Sequence, residues 1–457
     1  MREVGPAVVE RVIWAEAIIA QRREGALVSV GLPVPASKQR INTINKAGIS
    51  MALYALRELT LQSLEPLGAM IHAGYRAVNF WGDSVAWLPG IREADAALEL
   101  FTRLTKTYGK PGFAIDEVII HGQRVVVTET ALIEEPFCRL LHFKKDMSCP
   151  GPRVLLVAPL SGHYATLLRP TVEALLPEHD VYITDWADAR LVPLDAGYFD
   201  LGCYVDYLKK FLRYLGAGTH IVAVCQPGVP VLCAVAQMAE DSEQAQPRSM
   251  TLIAAPIDTR VSPTAVNQFA QKYSLPWFEA NVIERVPTGY PGKGRQVYPG
   301  FLQLAGFVSM NVARHAGAHL DFYRHLVDGR QNEAARHRKF YDEYNAVLDV
   351  PAEYYLETIQ KVFLEHHLCR GCMEVGQRRV YPEAITNVSL LTIEGGEDDI
   401  TGRGQTEAAH ALCAGLAADR KEHLVVDGVG HYGTFAGQGF QQSILPAITQ
   451  LIQRCAD

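Results

Sequence analysis

His220-Ile221-Val222-Ala223-Val224-Cys225-Gln226-Pro227-Gly228 is a short apolar run that stops at a cysteine and turns into a helical pattern from Val229 to Met238. Five consecutive apolar or β-branched positions without alternation are what a strand covered on both faces shows. The turn at Cys225 to Gly228 therefore predicts a strand end followed by a helix start near Pro227, a residue well tolerated at a first helical position. Similar runs occur at Val154–Ala158, Val181–Thr184 and Met250–Ala254, separated by helical stretches at Leu167–Leu176 and around Val205, Leu208, Leu212 and Leu215. Strand alternating with helix predicts one mostly parallel central sheet with helices on both faces. Upstream, Arg124–Thr128 and Phe137–Phe143 are expected to form an antiparallel pair.

The alternation stops near Arg260 and resumes at Val388–Ile393 and His423–Val426, before a final helix at Gln441–Arg454. The intervening stretch is rich in Tyr and Phe and shows no convincing strand. Helices are expected at Phe340–Leu348 and Pro351–Leu364, the second with Pro351 in its first turn. The division expected is an N-terminal extension over 1–50 that is poorly ordered and dispensable, a helical segment over 51–115, a core over 116–259 and 381–457, and an inserted helical cap over 260–380. Leu53, Leu56, Leu64 and Leu67 share one helical face of the second segment, and Met51 is a candidate initiator.

The 457 residues are 48% hydrophobic and 20% charged, a globular composition. Lys and Arg number 43 against 50 Asp and Glu, which argues against nucleic acid as a partner. Nine cysteines, odd in number and irregular in spacing, fit a reducing cytoplasm better than a disulfide framework. No run approaches the roughly 18 apolar residues of a membrane span. Glu10, Arg11 and Glu16 break the N-terminal apolar stretch, so no signal peptide is expected. Asn387-Val388-Ser389 is discounted as a glycosylation site because it lies in a strand-like run.

Three effects converge on Cys225. The turn projects its side chain out of the sheet, the following helix N-terminus favours an anion at sulfur, and the Gln226 N–H can stabilise an oxyanion. This is the place of the nucleophile in an α/β-hydrolase fold, although Ala223 and Pro227 stand where small glycines are common. The strand 388–393 leads into Glu397-Asp398-Asp399, and the strand 423–426 leads into Gly430-His431-Tyr432. Nucleophile, acid and histidine thus follow strand ends in the chain order that this fold uses. His431 is the candidate base. Asp398 and Asp399 both qualify as its carboxylate; Asp398, first after the strand, is preferred, leaving Asp399 to cap the next turn. A main-chain N–H of Leu160 or Ser161 is the second oxyanion donor, with His163 structural or site-lining.

A cysteine at a strand end is most often a small buried hydrophobe, and a histidine alone is more often structural than catalytic. The coincidence of acid and base at matching strand ends is what favours catalysis. Cys369 and Cys372, close to His366 and His367, make half of a zinc site with no second half, so neither a metal nor a redox pair is expected. Tyr354, Tyr355 and Phe363 read as packing.

Several stretches carry a family resemblance: Thr184-Asp185-Trp186, Val224-Cys225-Gln226-Pro227, Tyr298-Pro299-Gly300-Phe301-Leu302-Gln303-Leu304, Ser309-Met310-Asn311, Phe340-Tyr341-Asp342-Glu343-Tyr344, Glu353-Tyr354-Tyr355-Leu356, Asp398-Asp399-Ile400, Gly404-Gln405-Thr406 and Gly430-His431-Tyr432-Gly433. From about residue 51 onward the chain resembles intracellular polyhydroxyalkanoate (poly-3-hydroxybutyrate) depolymerases with a cysteine nucleophile. The resemblance implies ester hydrolysis on cytoplasmic polyester granules by Cys225, Asp398 and His431. No cofactor is implied, although CoA in place of water would give thiolysis. A polyester synthase, a small-ester hydrolase and a non-catalytic granule-binding protein are the alternatives. Residues 1–50 and the Cys369/Cys372 pair have no counterpart in that resemblance, and it leaves the oligomeric state open.

Overall fold

The computed structural model describes Tyr54, Arg57, Glu58 and residues 90–456. The extension 1–50 and the leucine face expected over 53–67 lie outside the described residues. The described residues divide into two compact units, one formed by those before Lys110 together with Gly300–Asn345, the other by Lys110–Pro299 with the described residues from Ala346 onward.

The larger unit holds the sheet. Its described strands are β1 (Glu117–Ile120), β2 (Gln123–Glu135), β3 (Cys138–Lys145), β4 (Arg153–Val157), β5 (Asp180–Trp186), β6 (His220–Val224), β7 (Ser249–Ile253), and, after the insertion, β13 (Ser389–Gly395) and β14 (Lys421–Val426). Their order is β1-β2-β3-β5-β4-β6-β7-β13-β14. The first three and the β3–β5 pair are antiparallel, and every pair from β5 to β14 is parallel. This is the mostly parallel α/β sheet expected. The apolar runs behave as read: every residue of β5, β6 and β7 is buried, as are Val154–Val157 of β4. Each buried Leu, Ile or Val contributes about 1.5–3 kcal/mol on transfer from water, so these strands form the core.

Helices α1 (Arg169–Leu175), α2 (Leu201–Leu215) and α3 (Gly228–Glu240) make the crossovers. Asp200 caps α2 by accepting from the Cys203 N–H at 2.8 Å. From β4 the chain steps to β5 on one side, then crosses to β6 on the other. The ends of β4 and β6 therefore border the crevice where strand order reverses, the usual place for a ligand in such sheets.

Residues 260–380 do not form one helical body. Helices α4 (Ala265–Lys272) and α5 (Leu275–Val282) stay with the larger unit. So does a small sheet of β8 (Glu284–Arg285), β9 (Gln296–Tyr298) and β10 (Val350–Pro351), and a hairpin of β11 (Glu374–Val375) and β12 (Arg378–Arg379). These two- and three-residue strands correct the expectation of a strand-free insert; pieces so short carry no period to read. Pro351 lies in β10, just ahead of helix α6 (Ala352–Thr358), not in its first turn, and a π-helical turn continues from Ile359 to Leu364. The helix expected at 340–348 is the end of a longer one, Gln331–Tyr344. The final helix begins with a π turn at Phe440–Ile444 and continues as α7 (Leu445–Ala456), which packs on β7 and β13.

The smaller unit contains Ile91–Thr105, Gly300–Met310, Val312–Val327 and Gln331–Tyr344. Ile91–Thr105 lies against Val312–Val327, and the Arg338 guanidinium forks onto Glu99 at 2.6 and 2.9 Å. This is why apolar spacing alone misassigned the middle of the insert: its partner is a helix two hundred residues earlier.

Candidate active site

Cys225 follows the last residue of β6 with φ at +67°, the left-handed region that a non-glycine residue enters at a cost of about 1–3 kcal/mol. Two hydrogen bonds hold it there: its N–H donates to the Ile253 carbonyl at 2.7 Å, and its carbonyl accepts from the Gly228 N–H at 3.1 Å. The chain turns sharply enough that α3 starts three residues later, and the side chain is left half-buried. The small residue this turn needs is Gly228, where an added Cβ would lie 2.3 Å from the Ala255 Cβ. The two flanking positions where glycine is common hold Ala223 and Pro227, so the requirement has moved by one residue. Gly228→Ala is expected to cost about 1–3 kcal/mol by overpacking, seen as a lower urea midpoint with an unchanged slope.

The loops after β13 and β14 are tied to one another. The Gly396 N–H donates to the Val426 carbonyl at 2.9 Å and the Glu397 N–H to the Val429 carbonyl at 3.0 Å. Gly395 permits this approach, because a Cβ there would lie 2.4 Å from the Val429 carbonyl oxygen. The tie brings Asp398 to His431. The His431 Nδ1 lies 2.8 Å from the Asp398 Oδ2, and a carboxylate only accepts, so Nδ1–H donates. The other carboxylate oxygen, Oδ1, accepts from the Ile400 and Thr401 N–H groups, both at 2.8 Å. Asp398 thus also caps the turn that it begins. Beneath the loop, the buried Glu394 carboxylate accepts from the Gly404, Thr406 and Glu407 N–H groups at 2.7, 2.7 and 3.1 Å. Sequence reasoning missed Glu394, because nothing in a strand run marks a carboxylate as an anchor.

His431 is 94% buried, and its carbonyl accepts from the Thr434 hydroxyl at 2.6 Å. Burial alone would lower its pKa. Negative charge at Cys225 and at Asp398, with hydrogen bonds to both, outweighs burial and holds the imidazole well above its ordinary value. With Nδ1 taken by Asp398, Nε2 is the nitrogen left for sulfur. Cys225, His431 and Asp398 are therefore assembled, from the ends of β6, β14 and β13.

Of the two candidate oxyanion donors after β4, Leu160 has an amide that reaches the nucleophile turn: it donates to Oε1 of the Gln226 side chain at 3.3 Å. Ser161 is half-buried, and the next residue, Gly162, accepts from the Leu348 N–H at 2.7 Å. His163 is buried and bridges to Val347. The Gln226 Nε2 donates to the hydroxyl of Tyr354, whose ring is fully buried. A narrow crevice beside Gln226, with room for about one water molecule, is lined by Pro256, Thr358, Val362 and Phe363. The other singled-out residues lie elsewhere. The Cys369 thiol donates to the Ile257 carbonyl at 3.1 Å, His366 pairs with the Thr259 hydroxyl, and His367 pairs with Glu365. Among the described residues no cluster of three or more His, Cys, Asp or Glu forms a metal site, and no helix is long and apolar enough to cross a membrane.

The sheet order and a positive-φ residue at the end of its central strand β6 define an α/β-hydrolase. Residues 254–456 match the family described as PHB de-polymerase C-terminus. That match takes in part of the insert together with Asp398 and His431, so this segment of the chain is similar to that family. No curated relative matches the chain. Among solved structures, it is similar to a membrane phospholipase A described as a bacterial virulence factor (12% identity, 85% of this chain and 99% of that one, TM-score 0.42). It is also similar to a thermophilic esterase from Thermogutta terrifontis (12%, 73% and 100%, TM-score 0.39). A hydrolase from Pseudomonas aeruginosa is a third (13%, 71% and 98%, TM-score 0.41).

Proposed function

We propose that the protein is an intracellular poly(3-hydroxybutyrate) depolymerase, cytoplasmic and granule-associated, that cleaves granule polyester through Cys225, His431 and Asp398. The observation that carries this reading is the 2.8 Å bond from His431 to Asp398 with Cys225 presented to the same imidazole. The family match over 254–456 supports the polyester as substrate. His431 takes the Cys225 proton, and sulfur attacks the ester carbonyl. The oxyanion is met by the Gln226 and Leu160 N–H groups. The tetrahedral species collapses to a 3-hydroxyacyl thioester as the alcohol end of the chain leaves with the proton from His431. Water, deprotonated by His431, then attacks the thioester, releasing the acid and restoring the thiol. Asp398 holds Nδ1–H throughout and stabilises the imidazolium. The returning part of the insert, 346–380, serves as the cap that shapes entry to Cys225.

The test is product analysis on native amorphous granules, with and without CoA. Free 3-hydroxybutyrate or its short oligomers without CoA is the expected outcome. A strict need for CoA, with acyl-CoA as product, would replace hydrolysis by thiolysis. Polymer growth from 3-hydroxybutyryl-CoA would make the protein a synthase. Activity confined to soluble esters would remove the polymer from the reading, and granule binding without any product would remove catalysis.

A further inference from the structure

An amide that is to bind an oxyanion must be free when the oxyanion forms. The Leu160 N–H has an acceptor already. The Gln226 Oε1 stands 3.3 Å from it, at the long edge of hydrogen-bond range, where the bond is weak. The orientation of that side-chain amide is dictated by its neighbours: Leu160 N–H can only donate, so oxygen faces it, and the NH₂ faces the Tyr354 hydroxyl.

The frame around this amide is rigid. The Ala158 carbonyl, two residues before Leu160, accepts from the Trp186 indole at 2.7 Å and from the Tyr204 hydroxyl at 3.3 Å. Tyr204 and Tyr354 stack with ring centroids 5.2 Å apart and planes at 11°. All three rings are buried. The rings thus fix the position of the loop and of the Tyr354 hydroxyl. Between them the Gln226 side chain, with three rotatable bonds, is the part able to move.

We propose that the Gln226 side-chain carbonyl is a resting-state stand-in for the ester oxygen on the Leu160 N–H, and that Tyr354, supplied by the insert, is the positioning residue that holds it there. The inference rests on the reading of Cys225 as nucleophile and of Leu160 as oxyanion donor. A substrate carbonyl must displace the side chain, so part of the binding energy of each substrate goes into breaking the bond to Leu160 and loosening the bond to Tyr354. A long polymer chain supplies that energy from contacts along its length, whereas a small ester has few to spend. Gln226 and Tyr354 thereby favour polymer over small esters.

The test is steady-state hydrolysis of p-nitrophenyl butyrate and of amorphous granules by the full chain and by Gln226→Ala, Gln226→Glu and Tyr354→Phe. Gln226→Ala leaves the backbone N–H in place and frees Leu160. On the small ester its kcat/KM should rise about threefold to tenfold, chiefly through a lower KM. Tyr354→Phe keeps the stacked ring and should move the same way, by less. Gln226→Glu offers Leu160 a charged, stronger acceptor and should lower kcat/KM by about tenfold or more. On granules the gain in Gln226→Ala should be smaller than on the small ester. A merely structural amide predicts the opposite order, with glutamate tolerated and alanine worse; that order, or three unchanged variants, overturns the stand-in while leaving the depolymerase reading intact. An unaltered protein that cleaves neither ester overturns both.

Discussion

Cys225→Ala abolishes ester cleavage, with turnover of polymer and of soluble esters down by roughly 10⁴-fold or more, the scale on which removing a nucleophile acts. The fold survives, because alanine occupies the same strained turn and both hydrogen bonds there are backbone bonds, to Ile253 and from Gly228. A cooperative unfolding transition with an unchanged urea slope is therefore the control, its midpoint free to move because the charge at Cys225 is one of the two that raise the His431 pKa. Cys225 is the thiol that meets His431, whereas Cys138, Cys233 and Cys413 are buried and burial pushes the thiols of Cys233 and Cys413 up to about 12. Cys225→Ser retains little, since a site arranged around a sulfur facing an imidazolium need not activate a much less acidic hydroxyl. Turnover in the alanine variant within tenfold of the original would end the assignment of Cys225.

Asp398→Asn comes second, with kcat lower by about 10³- to 10⁴-fold and KM changed little. The asparagine amide can present its NH₂ to Nδ1 and favour the tautomer with the proton on the wrong nitrogen, toward sulfur. It also removes one of the two negative charges that raise the His431 pKa. That raised value makes the paired site contribute stability in full below the ordinary imidazole range, a contribution lost as pH climbs through the folded value. In the asparagine variant this loss of stability on the alkaline side should shrink and move to lower pH, which pH-dependent urea unfolding would register. Asp399→Asn should stay within a few fold of the original, because the Asp398 carboxylate makes the bonds to His431, Ile400 and Thr401. A larger loss in the Asp399 variant than in the Asp398 variant would reverse the two roles.

The most legible parts of the protein were those written in contiguous residues. The runs at β4, β6, β7 and β13 are buried and nearly continuous in apolar side chains, so each announces itself within five to seven residues. Their alternation with helices sets the parallel sheet, and the parallel sheet places the ends of β6, β13 and β14 along one edge. Cys225, the Asp398–Asp399 pair and His431 could therefore be gathered before any coordinate was known. The short strands β8 to β12 could not, because two or three residues hold no period and the partners of β9 in β10 lie more than fifty residues away.

The sheet, the edge that carries the candidate site and the order of the three side chains along it follow from local hydrophobic pattern and from the one-way handedness of crossovers. The tertiary structure decided the rest, because each remaining choice turns on atoms brought together from distant parts of the chain. Asp398 and Asp399 are chemically alike and adjacent; the bonds from the loop after β13 to Val426 and Val429 select the first. Leu160 and Ser161 are equally placed in sequence; in the fold the Leu160 N–H meets the Gln226 side chain, 66 residues on. Tyr354 is one aromatic among many in the insert until a partner 128 residues earlier meets its hydroxyl. The insert itself divides because helices at 300–345 find their apolar partner at 91–105, a pairing that no periodicity within either segment encodes.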